Sequence, residues 1–126
     1  MILGLHHVSM KTANDSEYEK VRAFYADLLG LRVLKECETC TLLDTGSGIV
    51  EIFRNGTAPM PQGIIRHMAF AVDDVDAAIE KVRAAGYPIH VEPKDVQIGG
   101  DPDFPARIGF CFGPLGEQIE FFCQKW

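Results

Sequence analysis

Long apolar runs are missing from this sequence. Nothing approaches the ~20 consecutive apolar residues of a membrane-spanning helix, so no membrane role is expected. Basic clusters are missing too. Twelve Lys and Arg stand against 18 Asp and Glu, a net charge of −6. A chain without a basic face lacks what a general nucleic-acid binder uses to neutralise phosphates. The opening Met1-Ile2-Leu3-Gly4-Leu5-His6 has no charged n-region and no cleavage site, from which a cytoplasmic location is expected. Cysteine is scarce. Of the four, Cys37 and Cys40 form one C-x-x-C, and Cys111 and Cys123 lie far away. No second C-x-x-C completes a zinc ribbon. The motif also falls at an expected hairpin tip, without the strand-then-helix context of a redox motif. All four are read as reduced thiols.

What is present is a repeat. The string Glu-Lys-Val-Arg-Ala occurs at 19–23 and again at 80–84. Both copies sit in helical stretches that run toward a glycine stop, Gly30 and Gly86. Each half opens on an apolar strand carrying a His, Leu5-His6-His7-Val8-Ser9-Met10 and Ile65-Arg66-His67-Met68-Ala69-Phe70. Each half closes on an apolar strand carrying a Glu, Ile49-Val50-Glu51-Ile52-Phe53 and Gln118-Ile119-Glu120-Phe121-Phe122. Two copies of one module are the first thing to establish, because a missed repeat mis-assigns the fold.

Periodicity fills in each module. Residues 4–12 alternate as a half-buried strand. Residues 16–29 follow helical spacing, with Tyr18, Val21, Tyr25 and Leu28 on one stripe and Phe24 beside it, capped by Asn14, Asp15 or Ser16. Leu31–Glu36, Cys40–Asp44 and Ile49–Arg54 read as strands. Residues 59–63 form a linker. Ile65–Val72 is again a strand, then a helix capped by Asp73 or Asp74 presents Val75, Ala78, Ile79 and Val82. Strands are expected near Ile89–Glu92, Arg107–Phe112 and Glu117–Cys123, with a long loop at 93–106. The class is α+β, a single domain over 1–126 built from two tandem βαβββ modules, about 1–58 and 64–126.

Parity then places the polar residues. In both opening strands the large apolar residues lie opposite the His, so His7 and His67 face away from the helix-packed core. Glu51 and Glu120 are placed the same way. A carboxylate inside an apolar strand is costly unless paired or bound to a metal. Two carboxylates and two imidazoles in symmetric positions point to one shared divalent cation. The mixed N/O set suits Ni²⁺ or Zn²⁺, with Co²⁺, Mn²⁺ or Fe²⁺ also suited. Taken singly, each of the four would more often be a satisfied polar residue; their symmetry separates them from His6 and His90, which read as structural or surface. Ser9 and Lys11 read equally as substrate contacts or solvated strand residues, and Phe104 and Trp126 as pocket-closing or packing residues.

This pattern resembles the vicinal oxygen chelate (glyoxalase/bleomycin resistance/dioxygenase) superfamily, and within it glyoxalase I most. The likeness covers nearly the whole chain. It includes Phe24-Tyr25-Ala26-Asp27-Leu28-Leu29-Gly30-Leu31, the stretch from His67 to Asp74, and the stretch from Phe112 to Phe121. The resemblance implies curved mixed sheets around a metal site, with His7, Glu51, His67 and Glu120 filling the four ligand places. Epimerases of the methylmalonyl-CoA type usually have Gln in the second place, and fosfomycin-modifying members have no ligand there, so Glu51 favours the glyoxalase branch. By the same resemblance Glu120 is the catalytic base and Glu51 its symmetric counterpart. Asn55 matches a substrate-binding Asn four residues after the second ligand. Lys11 stands where glutathione-using members carry Arg, and it offers a point charge without the bidentate fork.

The implied reaction converts a 2-oxoaldehyde–thiol hemithioacetal into a 2-hydroxyacyl thioester through an enediolate, with Lewis-acid help from the metal. The expected partners are a small-molecule substrate, a thiol adduct, and a second copy of the chain as a homodimer. Two alternatives stay open: a metal-dependent epimerase, and a non-enzymatic protein that sequesters a small molecule.

Overall fold

Two four-stranded mixed sheets, each backed by its own helix, form the frame of the described residues. The computed structural model describes every residue except 2, 4, 60, 62, 64, 99–103 and 126, and the side chain of Ile98. The chain divides into units Met1–Pro61 and Gln62–Trp126, a boundary that falls inside the expected linker.

In the first unit β1 (His7–Lys11) leads to α1 (Asp15–Arg22), then a π-helical turn (Ala23–Leu28), then β2 (Arg32–Glu36), β3 (Cys40–Asp44) and β4 (Ile49–Phe53). The sheet order is β1-β4-β3-β2, with β1 parallel to β4 and the other pairs antiparallel. Asn14 caps α1 by accepting from the Glu17 N–H, while Glu17 reaches back to the Ala13 N–H. Such reciprocal bonds satisfy amides that no helical carbonyl can reach. The π turn is marked by Leu29 N–H donating to the Phe24 carbonyl. It lets the adjacent Phe24 and Tyr25 both bury completely. Gly30 then leaves the helix at φ +77°, a conformation that strains residues with a Cβ.

α1 covers one face of the sheet. Tyr18, Val21, Leu43, Val50 and Ile52 are buried there, and Tyr18 hydrogen-bonds the buried hydroxyl of Thr41. β1 is less buried than its alternation implies. Met10 is half-buried, but Val8 is 38% exposed. Among the described residues β1 is the outermost strand, hydrogen-bonded to β4.

The second unit repeats this plan: β5 (Met68–Ala71), α2 (Val75–Ala84), β6 (Ile89–Ile98), β7 (Phe104–Phe112) and β8 (Gln118–Gln124), in the order β5-β8-β7-β6. Asp74 caps α2 and Gly86, at φ +92°, ends it. Val21 and Val82, the same residue of the repeated string, are both fully buried. Val75 and Ile79 pack over Gly109, where a Cβ would sit 2.8 Å from Ile79 Cγ1.

The loop expected at 93–106 is corrected. Residues 93–98 belong to β6 and 104–106 to β7, leaving only 99–103, which lie outside the described residues. Pro93, a loop signal in sequence, lies inside β6. It is tolerated because β6 is an edge strand whose register shifts between Val91 and Lys94, the setting where a strand accepts proline. Trp126 also lies outside the described residues.

Candidate functional site

The first unit assembles its polar residues by register. Ser9 lies opposite Glu51, and Lys11 opposite Phe53. Opposite residues project from the same face, and alternate residues along a strand share it. His7, Ser9, Lys11, Glu51 and Phe53 therefore line the face away from α1. His7 Nε2 stands 3.8 Å from Glu51 Oε1. His7 Nδ1 is 3.0 Å from Nδ1 of His6. If His7 is the donor in that bond, its Nε2 lone pair is free toward Glu51, the tautomer a metal ligand needs. His6, read from sequence as structural or surface, is thus a hydrogen-bond partner of His7.

Lys11 Nζ lies 5.7 Å from the centre of the Phe53 ring. Asn55 is exposed two residues past β4. The neighbouring Gly56 passes so close to β1 that a Cβ would lie 2.3 Å from the Thr12 carbonyl oxygen and 3.0 Å from Lys11 Cγ. This crossing holds the Asn55 loop at the Lys11 end of the strand.

The second unit builds the same pair. Glu120 lies between Ala69 on β5 and Phe110 on β7, and its Oε2 is 3.1 Å from His67 Nε2. His67 sits one residue before β5 rather than within it. Its ring packs edge-on against Phe110 with centroids 5.2 Å apart. In both units the Glu faces the residue two positions after the His, so the sequence repeat is a spatial repeat. Glu120 is the more enclosed carboxylate, at 8% exposure. Burial pushes its pKa up, and His67 opposes that by charge and hydrogen bond.

Among the described residues, no three His, Cys, Asp or Glu side chains gather as a metal-holding group. Each unit by itself supplies a His–Glu pair. Metal bonds near 2 Å at right angles place neighbouring donors about 3 Å apart. The His67–Glu120 spacing fits that, and His7–Glu51 is within a small side-chain adjustment of it. Both pairs have the chemistry of ligands to a borderline divalent ion.

Two residues join these faces beyond those expected. His90 packs on Phe112 at 4.8 Å and near Phe110 at 6.2 Å, and the register puts those two rings on the Glu120 face. A register shift between Ile89 and Val91 sets its position, and simple alternation does not reveal such a shift. Cys40 lies opposite Phe53, and Leu42 opposite Glu51, so the second cysteine of the C-x-x-C shares the Glu51 face. Phe104 opens β7 with its ring 6.2 Å from Phe122, a packing role.

No helix among the described residues is long and apolar enough to cross a membrane. Comparison with known proteins agrees with the doubled architecture. The family model "Glyoxalase/Bleomycin resistance protein/Dioxygenase superfamily" matches residues 4–121. The protein YwkD of Bacillus subtilis is 30% identical, over 98% of this chain and 99% of its own. A lactoylglutathione lyase of Haemophilus influenzae is 32% identical, over 81% of each chain. The crystal structure of a glyoxalase/dioxygenase from Nostoc punctiforme shares the fold at a TM-score of 0.73 and 16% identity, covering 98% of this chain and 92% of that one. With its family match running from the first strand into the last, this chain belongs to the glyoxalase/bleomycin resistance/dioxygenase superfamily.

Proposed function

We propose that the protein is a metal-dependent lyase of the glyoxalase I type, which rearranges the hemithioacetal of a 2-oxoaldehyde and a thiol into a 2-hydroxyacyl thioester. The observation that carries this reading is the doubled His–Glu pair, with its more buried carboxylate at Glu120. A sequestering protein has no need to bury a carboxylate beside an imidazole; a proton-transfer enzyme does. The likeness to a relative named lactoylglutathione lyase supports the same branch.

Members of the family generally bind a divalent metal ion. His7, Glu51, His67 and Glu120 would hold it, with Ni²⁺ or Zn²⁺ favoured. When bound, such an ion polarises adjacent substrate oxygens as a Lewis acid and so acidifies the neighbouring C–H. Glu120 takes the proton from the carbon that carries sulfur and returns it to the adjacent carbon. The two carbons exchange oxidation level, and no external redox reagent enters. Ala69 and Phe110 flank the Glu120 carboxylate. Glu51, more open, is its counterpart. Ser9 can hydrogen-bond a substrate oxygen, while Lys11 and Asn55, at one end of β1, suit an anionic tail on the thiol.

The test is a metal-reconstituted assay with methylglyoxal and glutathione or other small thiols, followed by thioester formation. Turnover that disappears on exhaustive chelation is expected. Proton exchange beside an acyl-CoA carbonyl, without lyase turnover on any thiol, would transfer the site to an epimerase. Binding that survives chelation without turnover would make the protein a sequestering one. The reading includes a homodimer, because β1 and β2, and β5 and β6, are strand edges that need covering. Sedimentation at assay concentration checks it. Mixing His7→Ala with Glu120→Ala chains tells whether a site draws on one chain or two, since only the second arrangement restores activity in heterodimers.

A further inference from the structure

The reaction proposed above makes no use of Cys37-Glu38-Thr39-Cys40, which closes the β2–β3 hairpin. Cys37 N–H donates to the Cys40 carbonyl at 2.9 Å. The two Sγ atoms lie 2.7 Å apart, and Thr39 Oγ1 is 3.7 Å from Cys37 Sγ. Cys37 is exposed and Cys40 half-buried. A disulfide is about 2.0 Å long, so the sulfurs have only about 0.7 Å to close. The backbone that carries them is already clamped by its own hydrogen bond.

The two sulfurs are not equivalent. The Cys40 thiol, then the Thr39 N–H and hydroxyl, hydrogen-bond the Cys37 sulfur and bring its pKa down to about 7. The same bond, burial and the nearby Glu51 carboxylate push Cys40 up. In many reactive C-x-x-C pairs a helix N-terminus stabilises the thiolate; here the donors come from the turn itself. The other two cysteines differ. Cys111 is fully buried, and burial pushes it up to about 12. Cys123 lies 3.7 Å from the Asp73 carbonyl, to which it donates.

We propose that Cys37 and Cys40 form a reversible thiol–disulfide pair that reacts with hydroperoxides, Cys37 attacking and Cys40 resolving. The Cys37 thiolate attacks a peroxide oxygen. The O–O bond breaks, an alcohol or water leaves with a proton, and Cys37 becomes a sulfenic acid. Cys40 sulfur then attacks Cys37 sulfur, the S–O bond breaks, water leaves, and the S–S bond forms. Two electrons pass from the two thiols to the peroxide. Two external thiols restore the reduced pair by exchange and leave as their own disulfide. None of this depends on the lyase chemistry.

The test treats the reduced wild-type protein with one equivalent of hydrogen peroxide, then alkylates and maps it by mass. Both cysteines fall in one tryptic peptide, residues 36–54. The expected product is that peptide unalkylated and lighter by about 2 Da, in a monomeric chain, with Cys111 and Cys123 alkylated as before and the change reversed by dithiothreitol. Cys40→Ser should stop at a sulfenic acid on Cys37, trapped by dimedone. Cys37→Ser should leave Cys40 reduced, with oxidation at least tenfold slower. The proposal is overturned if the pair reacts no faster than free cysteine, if Cys40 is oxidised first, if oxidation links two chains, or if it falls on Cys111 or Cys123. The wild-type map decides the pairing even if a variant folds poorly.

Discussion

Replacing Glu120 by glutamine separates its two proposed roles. Gln has nearly the same shape and still offers one oxygen to a cation, but it cannot accept a proton at neutral pH. Loss of a positioned general base costs about 10²–10⁴-fold in kcat, or about 3–5 kcal/mol at 1.36 kcal/mol per decade. The structural cost is much smaller. The side chain keeps its place between Ala69 and Phe110. Among the described residues its side-chain partner is His67, which is 40% exposed, so water screens the pair and its loss costs no more than about 1 kcal/mol. Thioester formation under single-turnover conditions, elemental analysis of the loaded protein and a urea unfolding curve measure the three quantities. The expected result is a large fall in kcat, metal content near wild type and almost unchanged stability. Glu51→Gln should lose less turnover. Near wild-type kcat in the metal-loaded Glu120→Gln protein would refute the base assignment. A fall in kcat that tracks metal loss would leave Glu120 a ligand only.

Three further outcomes probe the scaffold. Gly109→Ala pushes a Cβ to 2.8 Å from Ile79 Cγ1 and 3.0 Å from Ile79 Cδ1, which should cost about 1–3 kcal/mol; Ile79→Val in the same chain removes that Cδ1 and should recover part of it in urea unfolding, and additive losses would count against the clash. Tyr18→Phe leaves the buried Thr41 hydroxyl without its partner at about 1–3 kcal/mol; the double change Tyr18→Phe with Thr41→Val should cost less than the two singles together, and simple additivity would deny the bond. Arg107 holds Asp76 below the usual carboxylate range, and Lys125, then Arg107, do the same for Asp95. Their stabilisation is present above the ordinary carboxylate pKa of about 4 and fades as pH falls through the lowered folded values. Arg107→Ala should therefore flatten the acid limb of stability against pH, and an unchanged limb would remove the network from that role.

Much of the site could be read from one dimension because a strand has a period of two. His7 with Ser9 had to share a face, and the apolar neighbour at the intervening position told which face the helix covers. The repeated Glu-Lys-Val-Arg-Ala likewise announced that Val21 and Val82 would be core, as they are. Glycines at the helix ends marked the stops because only they take positive φ without strain. The failures have equally local causes. Register shifts in β6 broke the alternation that would have placed His90, and let Pro93 sit inside a strand that the sequence marks as a loop. The π turn after α1 lets Phe24 and Tyr25 bury side by side, which periodicity registers only as a stripe with a neighbour.

By itself, then, the sequence determined the doubled βαβββ plan and the family and put forward the four ligand-type residues, all of which rest on short-range periodicity and on repetition. Only tertiary structure decided that Glu120 is the more buried carboxylate, that His6 hydrogen-bonds His7, and that Cys37 and Cys40 approach within reach of a bond on a hairpin whose second cysteine shares the Glu51 face. Those properties arise from which strands become neighbours and in what register. That is set by long-range packing, which no local pattern encodes.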